Sequence, residues 1–260
     1  MQTALTIAGS DSGGGAGLQA DLKTFAAHGV FGLTAVTAVT AQNSLGVAAV
    51  LPMPPDLVTK QIDAVISDFG AAATKIGMLA TADIVRAVAR AIDAHHLQNV
   101  VLDTVMIAKG GATLLDDDAV EILGVQLLPL ATVITPNIPE AERLTRRRIS
   151  SIADMRDAAR ALISAGARSV VIKGGHLDGP AVDVFDNGTT MTELAADRVP
   201  GRHTHGTGCT FSSAIAARLA LGDALLAAIE AAKAYVTQAI ARAPNLGHGQ
   251  GPVQHFPMTR

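Results

Sequence analysis

Residues 4–20, ALTIAGSDSGGGAGLQA, run from a short apolar stretch into a glycine-rich turn and then into the start of a helix-like segment. A short apolar run, then glycines, then an amphipathic stretch is the opening of a β–α unit. The same alternation continues outward. Strands are predicted at Ala4–Ala8, Leu33–Thr40, Ala73–Gly77, Val100–Asp103, Thr132–Thr135 and Ser169–Lys173. Helices are predicted at Ala16–His28, Pro55–Asp68, Ala82–Ala94, Asp116–Leu128, Pro139–Leu144 and Ile152–Ala165. Most of the strand runs are apolar at successive positions, as when both faces of a parallel sheet are covered. After Lys173, Ala181–Phe185 and Thr189–Leu194 flank Asp186-Asn187-Gly188, which predicts a β-hairpin near residues 181–194 with a type I′ turn. Gly208 to Ala243 reads as two Ala-rich helices. Repeats and linker-like breaks are lacking, so the expectation is one α/β domain over residues 1–260, with a mainly parallel sheet flanked by helices.

Composition narrows the function. The chain has 260 residues, one cysteine, a formal net charge of −3 and 49% hydrophobic residues. One cysteine excludes an internal disulfide and a Cys-based zinc cluster. The charge gives no pull toward nucleic acid. Residues 24–55 carry no Asp, Glu, Lys or Arg, yet Gln42, Asn43, several threonines and the Pro52–Pro55 cluster argue for a buried soluble segment rather than a membrane span. The start lacks a basic region and breaks into glycines, unlike a signal peptide. A cytoplasmic protein is expected.

In open α/β sheets ligands sit beyond the carboxyl ends of the strands, and the residues there are unusual. The loop after the first strand has no Lys-Ser/Thr and fails as a P-loop. Gly15–Ala20 fits a permissive GxGxxG/A pattern, but no acid stands between Asp21 and Asp56 to hold a ribose, which disfavours a dinucleotide site. Glycines with Ser-Asp-Ser read instead as a loop for close approach to a small ligand. Later, His203-Thr204-His205-Gly206-Thr207-Gly208-Cys209 leads into a helix, and the first amides of a helix form an anion site. Cys209 in that positive field is expected to favour thiolate and to take a proton from a hydroxyl. The local sequence fits a small buried packing residue equally well. Asn137 and Glu140 suit Mg²⁺ by their oxygen chemistry, and suit an N-cap with its partner acid as well. Asp103, ending strand four, is placed to join a metal site through water. Lys173, one of only six lysines, ends strand six before Gly174-Gly175-His176 and is placed to meet phosphate; Lys109-Gly110-Gly111 is a weaker parallel. His176 and His205 read as loop or supporting groups rather than metal ligands. Gln42, ending strand two, offers a donor and an acceptor side by side, which matches an amino group next to a ring nitrogen. Met78 reads as core or as a polarizable surface for a flat ring.

Taken together, AGSDSGGGAGLQADLKTF, TAVTAQNSLGV, KIGMLA, VMIAKGG, TPNIPEAERL, VIKGGH, HTHGTGCTFSSAIAA and LGHGQGPVQHF, spread from residue 8 to 256, resemble the hydroxymethylpyrimidine/phosphomethylpyrimidine kinases. The resemblance implies a ribokinase-like three-layer sandwich. It implies ATP-dependent phosphorylation, with Mg²⁺, of 4-amino-5-hydroxymethyl-2-methylpyrimidine and then of its monophosphate, in thiamine biosynthesis. By position, Gln42 looks like the aminopyrimidine reader, and Gly9, Ala16, Asp21, Met78 and Val105 look like the rest of the pocket. Cys209 looks like the base, and Gly206, Thr207 and Gly208 look like the anion hole. Lys173, Asn137 and Glu140 would serve ATP phosphate and Mg²⁺, and a homodimer is implied.

Two positions depart from that pattern. Thr104 stands where the family usually has proline, which is expected to loosen the backbone beside the pocket. Arg146-Arg147-Arg148 replaces a glycine-containing turn and reads as a solvated basic loop. The chain ends soon after the GPVQHF segment, so no fused thiamine-phosphate synthase domain is expected. The competing readings are a pyridoxal-type kinase of the same fold, a non-catalytic pyrimidine-binding protein, and more distantly an NAD-binding enzyme.

Overall fold

The computed structural model describes residues 1–106, 115 and 117–256. The Lys109-Gly110-Gly111 segment lies outside the described residues. Among the described residues the main sheet has eight strands. In chain order the strands of the protein are β1 (Thr3–Ala8), β2 (Phe31–Val36), β3 (Ala38–Asn43), β4 (Gly46–Pro52), β5 (Ala73–Ile76), β6 (Val100–Leu102), β7 (Val133–Ile134), β8 (Val170–Ile172), β9 (Ala181–Asp186) and β10 (Met191–Ala196). The sheet order is β10-β9-β8-β7-β6-β5-β1-β2, parallel from β2 to β8 and closed by the antiparallel β9 and β10. β3 and β4 pair with each other as a separate two-stranded sheet.

Successive apolar residues are needed because alternate side chains enter different cores. Leu5, Ile7, Ile76, Val100, Leu102, Ile134, Val170 and Ile172 pack on one face, under helices α2 (Pro55–Phe69), α3 (Ala82–His95) and α6 (Ile152–Ser164). Ala4, Ala73, Val101, Val133 and Val171 pack on the other, under α1 (Gly17–Ala27), α7 (Thr207–Ala220) and α8 (Leu225–Ala241). Those three layers are the sandwich the resemblance implies. Between α3 and α6 in sequence lie α4 (Asp117–Ile122) and α5 (Ile138–Thr145). The helix expected to run to Leu128 changes after Ile122 to a π turn over Leu123–Leu127 and a 3₁₀ turn containing Pro129; proline removes the amide a continuing α-helix needs.

Three further expectations need correction. The run Leu33–Thr40 is two strands in two sheets. Thr37 is the joint: its N–H still donates to Ala8 O at 3.0 Å, while its buried hydroxyl donates to Met78 O at 2.6 Å. The charge-free segment is not uniformly buried, since Val39, Leu45 and Leu51 of the β3–β4 hairpin are 48%, 69% and 65% exposed. The hairpin β9–β10 exists, but its loop is four residues, Asn187–Thr190, rather than a two-residue turn. Asn187 Oδ1 accepts from Thr189 N, Thr189 Oγ1 and Thr190 N, and only Gly188 takes a positive φ.

The C-terminal tail returns across α7 and α8. His255 is buried, with Nε2 3.0 Å from Thr210 Oγ1, and Tyr235 Oη donates to its carbonyl at 2.6 Å. Burial, reinforced by the charges of Lys23 and His205, pushes the imidazole down to about 4 from its ordinary 6.5. The folded state therefore holds it neutral while the unfolded chain binds a proton. Its contribution is complete above about pH 6.5 and is lost as pH falls toward 4, by about 3 kcal/mol. Urea unfolding of wild type and His255→Asn at pH 7.5 and 4.5 should show a stability loss on acidification smaller in the variant by that order. Equal losses in both would refute the assignment.

Candidate active site

Beyond the carboxyl ends of the strands lies a cavity of about 720 Å³. It opens where β1 and β5 send their connections to opposite faces, α1 beneath one and α3 beneath the other, which is the topological switch point of the sheet.

One wall belongs to the glycine-rich loop. Asp11, almost fully buried, accepts from the N–H groups of Gly13, Gly15 and Ala16 at 2.8, 3.1 and 2.8 Å, so its carboxylate is the hub on which the loop folds. His205 Nε2 lies 2.8 Å from Asp11 Oδ2, the oxygen that also accepts from Gly15 and Ala16. Burial alone would raise the Asp11 carboxyl, but His205 and the loop amides hold it below the ordinary value. Ser10 and Ser12 fasten the loop to the small sheet: Thr40 N donates to Ser10 Oγ at 3.1 Å, and Gln42 N to Ser12 Oγ at 2.7 Å. The Ser-Asp-Ser run thus builds the loop, and its Ser10 and Asp11 also line the cavity. Gly9 allows close approach, because a Cβ there would meet Met78 Sδ at 3.2 Å. Met78, Val105, Ala38 and Ala80 form a small apolar cluster of which Met78 and Val105 line the cavity, so Met78 is at once packed and available to a ring. Gln42 reaches the same wall from β3, not from the second strand of the main sheet.

The helix start of α7 forms the opposite wall. Gly206 is its N-cap at φ +80°, so close to the glycine loop that a Cβ would lie 1.7 Å from Gly15 O. Thr207 donates its hydroxyl to Thr204 O at 2.7 Å. The first-turn amides of Gly208 and Cys209 have no acceptor earlier in the helix. Over Gly208 sit Lys173 Nζ and both Asp103 oxygens, at 3.3, 3.8 and 3.9 Å from where a Cβ would stand. Lys173 donates to Asp103 Oδ1 at 3.0 Å. Burial would lower the Lys173 ammonium, yet the charges of Asp103 and Glu140 hold it above the usual lysine value.

The Cys209 expectation is overturned in one respect. The thiol is pushed up to about 12, chiefly because it is withdrawn from water; Asp103 and Asp21 add to this, against the opposing charge of Lys75. The helix start does not dominate, and the thiol is the resting form.

Asn137 and Glu140 realise the capping box left open by the sequence. Glu140 N donates to Asn137 Oδ1 and Asn137 N to Glu140 Oε2, each at 2.9 Å. Both still line the cavity. Thr104 is fully buried and donates to Glu140 Oε2 at 3.0 Å, a tie that a proline in its place could not make. Burial and the neighbouring Asp103 charge raise the Glu140 carboxyl, against Lys173. Among the described residues no group of three or more His, Cys, Asp or Glu is arranged to hold a metal. Asp103 Oδ2, however, is buried with no hydrogen-bond partner among the described residues. One orphaned carboxylate oxygen beside a second carboxylate suits an ion that keeps its waters and shares phosphate oxygens, the habit of Mg²⁺.

Asp21 is not brought into the cavity. It is fully buried behind it, accepting from Lys75 Nζ at 3.0 and 2.9 Å, Thr6 Oγ1 at 2.6 Å and Ser213 Oγ at 2.6 Å. Lys75, which lines the cavity, escaped the sequence reading. Its signal was a lysine inside ATKI, a strand otherwise fit for burial on both faces. Gly77 accommodates it, since a Cβ there would stand 2.8 Å from Lys75 Nζ. Arg146, Arg147 and Arg148 are exposed, as expected of a solvated loop.

A ribokinase-like sandwich, with a ring-sized apolar wall facing a cationic helix start, defines a small-molecule kinase. The chain belongs to the phosphomethylpyrimidine kinase family, whose model matches residues 11–254. A hydroxymethylpyrimidine/phosphomethylpyrimidine kinase of Bacillus subtilis is 48% identical over 99% of this chain and 96% of its own. The bifunctional thiamine biosynthesis protein of Geobacter sulfurreducens is 51% identical over 97% of this chain, which spans only 52% of that relative. Among solved structures, an ADP complex of a Bacillus subtilis pyridoxal kinase superposes with a TM-score of 0.92 at 43% identity, covering 98% of this chain and 97% of that one.

Proposed function

We propose that the chain transfers phosphate from ATP to the hydroxymethyl group of 4-amino-5-hydroxymethyl-2-methylpyrimidine, and then to the resulting monophosphate, as one kinase domain spanning residues 1–260. The observation that carries this is a single cavity in which Gln42, Met78 and Val105 face the Gly206–Cys209 helix start, with Lys173 and Asp103 beside it. The ring lies on the Met78–Val105 wall under the Gln42 amide. The polyphosphate lies at the α7 start and Lys173, and the nucleoside extends toward Val199, Val236 and Ile240. Catalysis of this kind is positioning plus charge neutralisation. The Gly208 and Cys209 amides and the Lys173 ammonium meet the charge on the moving phosphoryl group. Mg²⁺, when bound, neutralises phosphate charge; Asp103 Oδ2 and Glu140 are the residues that would hold it, with Asn137 keeping Glu140 in place.

Cys209 is assigned the proton of the attacking alcohol. Because the thiol is the resting form, only the minor thiolate acts as base. In the alcohol step kcat should rise about tenfold per pH unit between pH 7 and 9, since the thiolate fraction grows with that slope below a thiol value of about 12. The phosphate acceptor is already ionised and needs no base, so its profile should be flat. Cys209→Ala should cost the first phosphorylation roughly a hundredfold or more and the second only a few-fold. Turnover measured separately on the alcohol and the monophosphate tests both statements. A flat alcohol profile, or equal losses in the variant, would reduce Cys209 to packing and anion binding.

A pyridoxal-type ring is the alternative acceptor, favoured by the solved neighbour named above. Gln42 supports the aminopyrimidine, and relative turnover of the two ring alcohols decides between them. No described helix is long and apolar enough to cross a membrane, and a cytoplasmic location completes the reading. The exposed Val39, Val50 and Leu51 of the β3–β4 sheet support a homodimer, to be tested by light scattering.

A further inference from the structure

We propose that Asp11 and His205 set which way round the Gln42 amide is held, and thereby which way round the aminopyrimidine ring binds. This rests on the reading of Gln42 as the ring's reader.

Proton accounting carries the inference. Asp11 is held ionised by the loop amides and His205, so its carboxylate only accepts. His205 Nε2, 2.8 Å from Asp11 Oδ2, must therefore carry its hydrogen and donate it. That nitrogen then has no lone pair to offer the Gln42 side chain, which approaches it at 3.4 Å. An amide NH2 there would set donor against donor, so the amide oxygen belongs at that point, where it takes at most the minor share of an N–H whose main acceptor is Asp11. The other end of the amide gives the same answer independently. Thr40 Oγ1 spends its single hydrogen on Ser10 O at 2.8 Å, so toward the Gln42 amide, 3.3 Å away, it can only accept. The amide nitrogen belongs there. Amide oxygen and nitrogen are distinguished by such networks rather than by position alone. The two neighbours therefore agree on Gln42 Oε1 toward His205 and Nε2 toward Thr40.

One lone pair on Oε1 and one N–H on Nε2 remain for a ligand. An exocyclic amino group pairs with the oxygen and the adjacent ring nitrogen with the N–H. The amino group consequently lies on the His205 side and the ring nitrogen on the Thr40 side. Without the Asp11–His205 constraint only the Thr40 contact opposes the turned-over amide, and weakly, because its hydroxyl hydrogen can rotate from Ser10 O to an amide oxygen; the inverse pattern, a ring carbonyl beside a ring N–H, then becomes accessible.

The 4-oxo analogue of the pyrimidine presents that inverse pattern, and supplies a readout that general damage does not move. Calorimetric binding without nucleotide should show wild type preferring the amino over the oxo compound by about a hundredfold or more, because the wrong compound leaves donors facing donors. His205→Phe keeps a ring but loses the donor, and should shrink that preference at least about tenfold. His205→Gln, which places an N–H near the Nε2 position, should keep it, and His205→Asn, which does not, should lose it. If His205→Phe fails to fold by thermal melting, the Gln and Asn variants decide alone. A preference within about threefold of wild type in both His205→Phe and His205→Asn overturns the proposal. Gln42→Leu separates it from the reading beneath it. If that variant abolishes the preference while the His205 variants keep it, only the role of His205 fails. If Gln42→Leu also keeps the wild-type ratio, Gln42 is not the reader and both fall.

Discussion

Lys75→Met is expected to lower the melting temperature by about 10 °C, a loss of about 3–5 kcal/mol. Neither Lys75 nor Asp21 has any exposed side-chain surface, and Lys75 gives two of its hydrogens to the Asp21 oxygens. Removing the ammonium leaves a carboxylate buried with, among the described residues, only the hydroxyls of Thr6 and Ser213 to compensate. Leaving one partner of such a pair unpaired costs far more than the pair itself contributes. The double variant Asp21→Asn/Lys75→Met should therefore recover most of the loss in a thermal melt followed by circular dichroism. A single-variant shift below about 3 °C would refute the pairing. Activity should not recover with stability. Lys75 opposes the upward drift of the Cys209 thiol, and without it the thiolate becomes rarer still, so alcohol phosphorylation should fall in the single variant and stay below wild type in the double one, where losing the smaller Asp21 effect offsets only part of it.

Gly206→Ala is expected to cut kcat/KM at least about a hundredfold, the scale of losing an anion-hole donor. A side chain there must adopt φ +80° and would place its Cβ 1.7 Å from Gly15 O, a backbone atom that gives way only if the glycine loop moves. The displacement reaches both walls of the cavity at once. Gly208→Ala is the comparison: its nearest obstacle is Lys173 Nζ at 3.3 Å, the mobile end of a long side chain. It should retain several-fold more activity than Gly206→Ala. Steady-state kinetics on both variants tests this, and Gly206→Ala keeping more than a tenth of wild-type activity would contradict the geometry.

The parts of the site that were legible in the sequence are those announced by residue type at the end of a strand. Lys173, Asp103, Gln42, Met78 and the Gly206–Cys209 segment all stand where a parallel sheet delivers chain to a ligand, and the structure brings them to one cavity. Matching a motif identifies a residue without saying which way its helix faces; the position of Asp21 on α1 turns it to Lys75 and away from the cavity that Lys75 lines. The β3–β4 sheet was missed because Gly46–Pro52 is apolar yet exposed, and apolar runs are ordinarily taken as buried. Thr104 was read for its backbone alone, while its buried hydroxyl serves Glu140.

By itself, the sequence determined the alternation of strands and helices, the burial of the parallel sheet on both faces, and the family. Those depend on local periodicity and on short motifs that carry their meaning along the chain. Only the tertiary structure decided the protonation state of Cys209, the role of Asp21 and the orientation of Gln42. Each depends on charges and hydrogen bonds from residues distant in sequence. Cys209 answers to Lys75 and Asp103, Asp21 to Lys75, and Gln42 to His205, 163 positions away. Burial strengthens such interactions by removing the water that would screen them, and burial is created only when the chain has folded.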